Sequence, residues 1–125
     1  MAPTNPALPP IHRATLLTPV GTQLVFTDGD RHAVIEALRG AFPEGVLAYC
    51  LLDERLDVIA EGTGNAVCSG VMRTLAAYVN VRRARGARGE PGRPARVEVK
   101  LIPDAESLAR AINEVHDLPL LAGLN

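Results

Sequence analysis

Two runs of strict apolar-polar alternation, three apolar stripes at helical spacing and the breakers between them predict an α+β domain built on an antiparallel sheet. In the first run Leu56, Val58 and Ala60 alternate with Arg55, Asp57, Ile59 and Glu61; in the second Val97, Val99 and Leu101 alternate with Arg96, Glu98 and Lys100. A period of two is the mark of a strand with one face toward the core. The stripes are Val34, Ala37, Leu38, Ala41 and Phe42, then Val67, Val71, Leu75 and Tyr78 or Val79, then Leu108, Ala111, Ile112 and Val115. Each is the apolar side of a helix laid on a sheet.

Taken in order, residues 1–11 carry Pro3, Pro6, Pro9 and Pro10, which disfavour helix and strand alike, and read as a flexible arm before a single domain over 12–125. Arg13 to Thr18 is a first strand ended by Pro19 and Gly21, and Gln23 to Thr27 is a short candidate partner strand. Asp28 or Asp30 caps the first helix, which Pro43 and Gly45 stop. Val46 to Leu52 is almost continuously apolar, the pattern of a central strand buried on both faces. Asp53 and Glu54 leave room only for a tight turn, so this strand forms a hairpin with Arg55 to Glu61.

The second helix is expected from about Asn65 to Arg83. Beyond it Arg82, Arg83, Arg85, Arg88, Arg93 and Arg96 are interleaved with Gly86, Gly89, Pro91, Gly92 and Pro94, which reads as a basic loop over about 82–96. Arg96 to Ile102 is the last strand, Asp104 the cap of a third helix reaching about His116, and Pro119 and Gly123 mark the tail. Strand, helix, strand, strand, helix, strand, helix is the order of a ferredoxin-like antiparallel sheet with helices on one face and a further terminal helix.

With 47% hydrophobic but 3% aromatic residues and no Trp, the core must come from Leu, Val, Ile and Ala. A net charge of -1 argues against a general polycation, so any nucleic-acid affinity has to be local. Cys50 and Cys68 lie in apolar runs without CxxC spacing and read as reduced, buried thiols. No apolar run reaches membrane-spanning length and the N-terminus lacks a signal-like h-region, so a soluble cytoplasmic protein is expected, with no membrane partner.

Chemistry has one natural seat. Arg55 and Asp57 at i and i+2 point to the same side of a strand, where they either hold a ligand or pair on a solvated face. The basic stretch is the second candidate, because guanidinium forks suit phosphates and base edges, while the shortage of rings limits base stacking.

Four segments carry a resemblance to a known family. LAYCLLDERLDVIAE, Leu47 to Glu61, aligns without a gap to the motif hAYVLMPNHYHLLLE, and EVHDLPLLAGL, Glu114 to Leu124, aligns to YIHLNPVRAGL. His12 and Thr15 fall where a Tyr-His-Val-Thr-like opening strand would stand, and Asn80, Arg82 and Arg83 sit in a turn resembling NRRHGR. The chain thus resembles the REP-associated tyrosine transposases, HUH-type single-tyrosine enzymes of the insertion-sequence transposase-like family. The resemblance implies a strand histidine pair that binds a divalent metal such as magnesium or manganese, and a tyrosine nucleophile on the last helix. Here those positions hold Arg55 and Asp57, and Glu114.

Arginine stays protonated and does not ligate a metal. The expectation is therefore a degenerate, catalytically silent member with no cofactor, which retains binding of hairpin or single-stranded DNA through Arg82, Arg83, Arg85, Arg88, Arg93 and Arg96. Replacing Arg82, Arg83 and Arg85 is expected to remove binding at little cost in stability. Asp57, Glu114 and His116 are the residual metal candidates, opposed by the neighbouring charge of Arg55. Tyr78 is the one alternative nucleophile, set against a packing role. Glu114 is expected to meet Arg55 and Asp57 on one sheet face. The alternative function is a protein-interaction or scaffold domain, with a homodimer left open; a third class is new chemistry at Arg55, Asp57 and Glu114.

Overall fold

The computed structural model describes residues 9–87 and 96–121, with side chains for 9–87 and 97–118. The elements run β1 (Ile11–Leu17), α1 (Asp28–Ala41), β2 (Ala48–Leu52), β3 (Arg55–Glu61), α2 (Gly64–Ala84), β4 (Arg96–Ile102) and α3 (Ala105–Leu121). All pairings are antiparallel and the strand order is β2-β3-β1-β4. This is the α+β, ferredoxin-like arrangement that the element order implies.

Alternation sorts the sheet into two faces. On one, Ala14, Leu16, Leu51, Leu56, Val58 and Ala60 meet Val34 and Leu38 of α1 and Val67, Val71 and Tyr78 of α2 in the larger core. On the other, Ala48, Cys50, Leu52 and Ile59 are covered by Val115 of α3, with Leu108, Ala111, Ile112 and Leu118 around it. Burying a side chain such as Leu16, Val58 or Ile59 stabilises the fold by roughly 1.5–3 kcal/mol before chain entropy is counted. The terminal helix therefore closes the face on which Arg55 and Asp57 lie. That face is not the solvated one that the strand pattern alone allows: Asp57 and Ile59 have no exposed surface.

Four boundaries differ from the sequence reading. Residues 23–27 form no strand; the amides of Leu24 and Val25 both donate to the Asp53 carbonyl, at 2.6 and 3.2 Å, so this segment folds over the β2-β3 turn. The helix cap is Thr27, one residue before the expected Asp28, in a capping box whose other half is Asp30. A cap of this kind contributes about 1 kcal/mol. The apolar strand β2 is buried through Ala48, Cys50, Leu51 and Leu52 but stands at the edge of the sheet, not its centre. Helices on both faces explain the burial, which periodicity alone cannot separate from a central position. Finally, α3 continues past His116 and through Pro119 to Leu121, although Pro119 has no backbone N–H to give the helix.

Asp104 does cap α3: its carboxylate accepts the Ser107 amide at 2.7 Å, and this bond holds its pKa below the ordinary 3.8. The arm over 1–8, the loop residues 88–95 and the tail from 122 lie outside the described residues. Among the described residues no helix is long and apolar enough to cross a membrane.

Candidate functional site

The site is built by strand register. Thr15 of β1 and Cys50 of β2 both stand opposite Asp57 of β3, so the three form one row across the sheet on the α3 side. Arg13 lies two residues before Thr15 and Arg55 two before Asp57, and because β1 and β3 are antiparallel the two arginines flank the carboxylate from opposite directions.

Asp57 is completely buried, and a carboxyl group in such a place is costly unless hydrogen bonds and opposite charges compensate it fully. It has both. Arg55 donates Nε to Oδ2 at 2.7 Å and Nη2 to Oδ1 at 3.2 Å. Arg13 donates Nε and Nη2 to Oδ1 at 3.2 and 3.0 Å, and Thr15 Oγ1 donates to the same oxygen at 2.7 Å. The remaining Nη1 of Arg13 reaches Glu114 Oε2 at 2.8 Å, on a side chain 66% exposed.

Arg55, Asp57 and Glu114 thus share one sheet face, as expected. The connection is not direct, however: Arg55 pairs with Asp57, and Glu114 joins through Arg13. The sequence reading missed Arg13 as a site residue. Its signal was present, since alternation puts Arg13 and Thr15 on one side of β1, but only the pairing register says that this side meets Asp57.

His116 is exposed. Among the described residues no three His, Cys, Asp or Glu side chains are grouped to hold a metal ion, so Asp57, Glu114 and His116 do not form such a set. Cys50 is a buried free thiol whose pKa is raised above the ordinary 9.0, first by burial and then by the charge of Asp57; it is held protonated and is no nucleophile.

The basic stretch divides. Arg82 is still within α2, 4% exposed, paired with Asp30 and with its guanidinium 4.7 Å from the centre of the Phe26 ring. It belongs to the interior and not to the surface loop expected over 82–96. Arg83 and Arg85 are exposed at the end of α2, with Arg85 beside Gly29 at the start of α1. Arg88 and Arg93 fall outside the described residues, and of Arg96 only the backbone, opening β4, is described. Tyr78 is fully buried and donates its hydroxyl to the Leu24 carbonyl at 2.6 Å. Burial and the nearby Asp30 raise its pKa above 10.0; as a relocated nucleophile it is both inaccessible and protonated.

No protein-family model and no curated protein matches the chain by sequence. Its fold does have counterparts. A REP-associated tyrosine transposase solved bound to a REP hairpin superposes on 100% of this chain and 76% of its own, with a TM-score of 0.65 at 16% identity. The chain has a transposase fold. A candidate transposase from Deinococcus radiodurans R1 gives a TM-score of 0.55 at 11% identity, over 94% of this chain and 97% of the other. At such identities the transposase fold carries over the scaffold, and the chemistry has to be judged from the residues standing on it.

Proposed function

We propose that this chain is a transposase-fold protein that binds hairpin or single-stranded DNA without cutting it. The observation carrying the proposal is the state of Asp57. At the strand position that the family resemblance gives to a metal-binding histidine stands a carboxylate whose two oxygens already accept five hydrogen bonds, four of them from arginines. The residues do not fit a divalent metal. A cation there would compete with two guanidinium groups for the same oxygens, and neither arginine offers a lone pair. Glu114 stands where the resemblance puts the tyrosine, and a carboxylate engaged by Arg13 is a poor nucleophile toward a phosphodiester.

DNA binding is supported by the exposed Arg83 and Arg85 at the end of α2 and by the hairpin in the related transposase structure. The test joins two assays. Incubation with hairpin and single-stranded DNA in magnesium or manganese yields no nicked product and no covalent protein-DNA adduct on a denaturing gel. Fluorescence anisotropy at low salt shows binding that weakens with added salt, with a log-log slope of about one unit per phosphate contact. An adduct overturns the silent site. Absence of binding at low salt overturns the DNA reading and leaves an interaction domain as the better description.

A further inference from the structure

Between β4 and α3 runs an open groove of about 290 Å³ that shares Arg13 and Glu114 with the Asp57 network. Arg13, Lys100, Arg110 and Ser107 line it together with Glu114. The placement follows from register: Lys100 of β4 stands directly opposite Arg13 of β1 on the α3 face, and Arg110 and Glu114, four residues apart on α3, share a side of that helix.

Charge decides what such a groove accepts. Arg13, Lys100 and Arg110 line the groove beside one carboxylate, Glu114; Asp57 is buried beneath it with its charge divided between two arginines, and Glu98 stands on the same face of β4, two residues before Lys100. Geometry decides it further. Two nitrogens of Arg13 are pinned to Asp57, so the third, Nη1, is aimed at a fixed point where it meets Glu114. A donor whose orientation is already set loses little entropy on binding, which is the condition for selective recognition of an oxyanion. Lys100 and Arg110 are exposed and adjustable. Ile102, Pro103 and Ala111 supply an apolar wall, which suits the sugar or base attached to a phosphate better than a bare inorganic ion.

We propose that this groove binds a phosphate group of single-stranded DNA, and that Glu114 is a resident carboxylate which the phosphate displaces from Arg13 Nη1. The nucleic-acid source of the phosphate rests on the DNA-binding reading above; the groove as a phosphate site does not. Glu114 can be displaced because it is largely exposed, so its bond to Arg13 is an exposed ion pair of modest strength. The same carboxylate sets a threshold, since a ligand must engage the groove's three cations more strongly than Glu114 engages Arg13 alone to replace it.

The test is an amide-resonance titration of the full chain with two probes, pyrophosphate and a short oligothymidylate. Both are expected to shift the Ser107 and Arg110 resonances. The double variant Lys100→Ala/Arg110→Ala weakens both by about tenfold, the loss of two charged contacts. Glu114→Gln tightens both about two- to fivefold, the range for releasing one exposed ion pair, without moving the thermal midpoint. Arg83→Ala/Arg85→Ala leaves the pyrophosphate response intact.

If oligothymidylate binds and only the Arg83/Arg85 variant weakens it, the groove proposal falls while the DNA reading stands. If pyrophosphate shifts Ser107 and Arg110 but oligothymidylate binds nowhere, the phosphate site stands and its nucleic-acid source falls. Equal or weaker binding by Glu114→Gln overturns the displacement, and silence of both resonances with both probes overturns the site.

Discussion

Arg13 grips Asp57 although the two are not strand partners: Arg13 stands opposite Ile59, and its guanidinium leans one row along the sheet to place Nε and Nη2 3.2 and 3.0 Å from Asp57 Oδ1. From there its third nitrogen ties the terminal helix to the sheet through Glu114. One arginine of β1 thus links a buried carboxylate of β3 to an exposed one of α3, and the stability of that link can be measured.

Asp57→Ala is expected to lower the unfolding free energy by about 3 kcal/mol, the low end for removing one partner of a buried ion pair. The low end applies because the side chains of Arg13 and Arg55 are 17% and 28% exposed, so water shields what remains. Urea unfolding checks it; an unchanged midpoint would show that the network contributes nothing.

Arg82 and its neighbours should separate cleanly. Arg82→Ala strands a buried Asp30 and removes the Phe26 contact, for a loss of about 3 kcal/mol or more. Arg83→Ala/Arg85→Ala is expected to stay within about 0.5 kcal/mol of the parent while weakening DNA binding. Thermal melts beside anisotropy titrations distinguish the two. This replaces the expectation that all three arginines can be removed at little cost.

Gly70 of α2 has no room for a side chain unless the Phe42 ring moves. A Cβ there would lie 2.3 Å from Phe42 Cζ, the ring that follows the end of α1. Gly70→Ala is expected to cost about 1–3 kcal/mol through forced displacement of that ring. Phe42→Ala in the same chain should relieve the clash, so that the double variant loses less than the two singles together. Additive losses in the cycle would place the strain elsewhere.

Tyr78→Phe leaves the buried Leu24 carbonyl without its donor, an expected loss of about 1–3 kcal/mol. The pH dependence has a definite sign. Because burial raises the phenol's pKa above 10.0, the folded chain holds this proton more tightly than the unfolded chain. Its contribution is complete below pH 10.0 and lost as pH rises through the folded value. In a Tyr49→Phe background, the remaining tyrosine's ultraviolet titration should coincide with alkaline unfolding; ionisation in the folded state at an ordinary pH would contradict the buried phenol.

Local periodicity and breakers determined the seven elements, the β2-β3 turn, the Asp104 cap and the apolar stripe of α3, because each depends on backbone geometry within a few residues. The interior position of Arg82 was legible too: it stands four residues beyond Tyr78, on the stripe that passes through Val67 and Val71. It was hidden because an arginine-rich segment was read by composition instead of phase. What tertiary structure alone decided is which strand lies at the edge, which face α3 closes, and that Arg13 rather than Arg55 reaches Glu114. These depend on strand register and helix docking between residues as far apart as 13 and 114. The physical reason is that a side chain's face follows from its neighbours along the chain, whereas its partner follows from pairings that close long loops, and no local pattern carries that information.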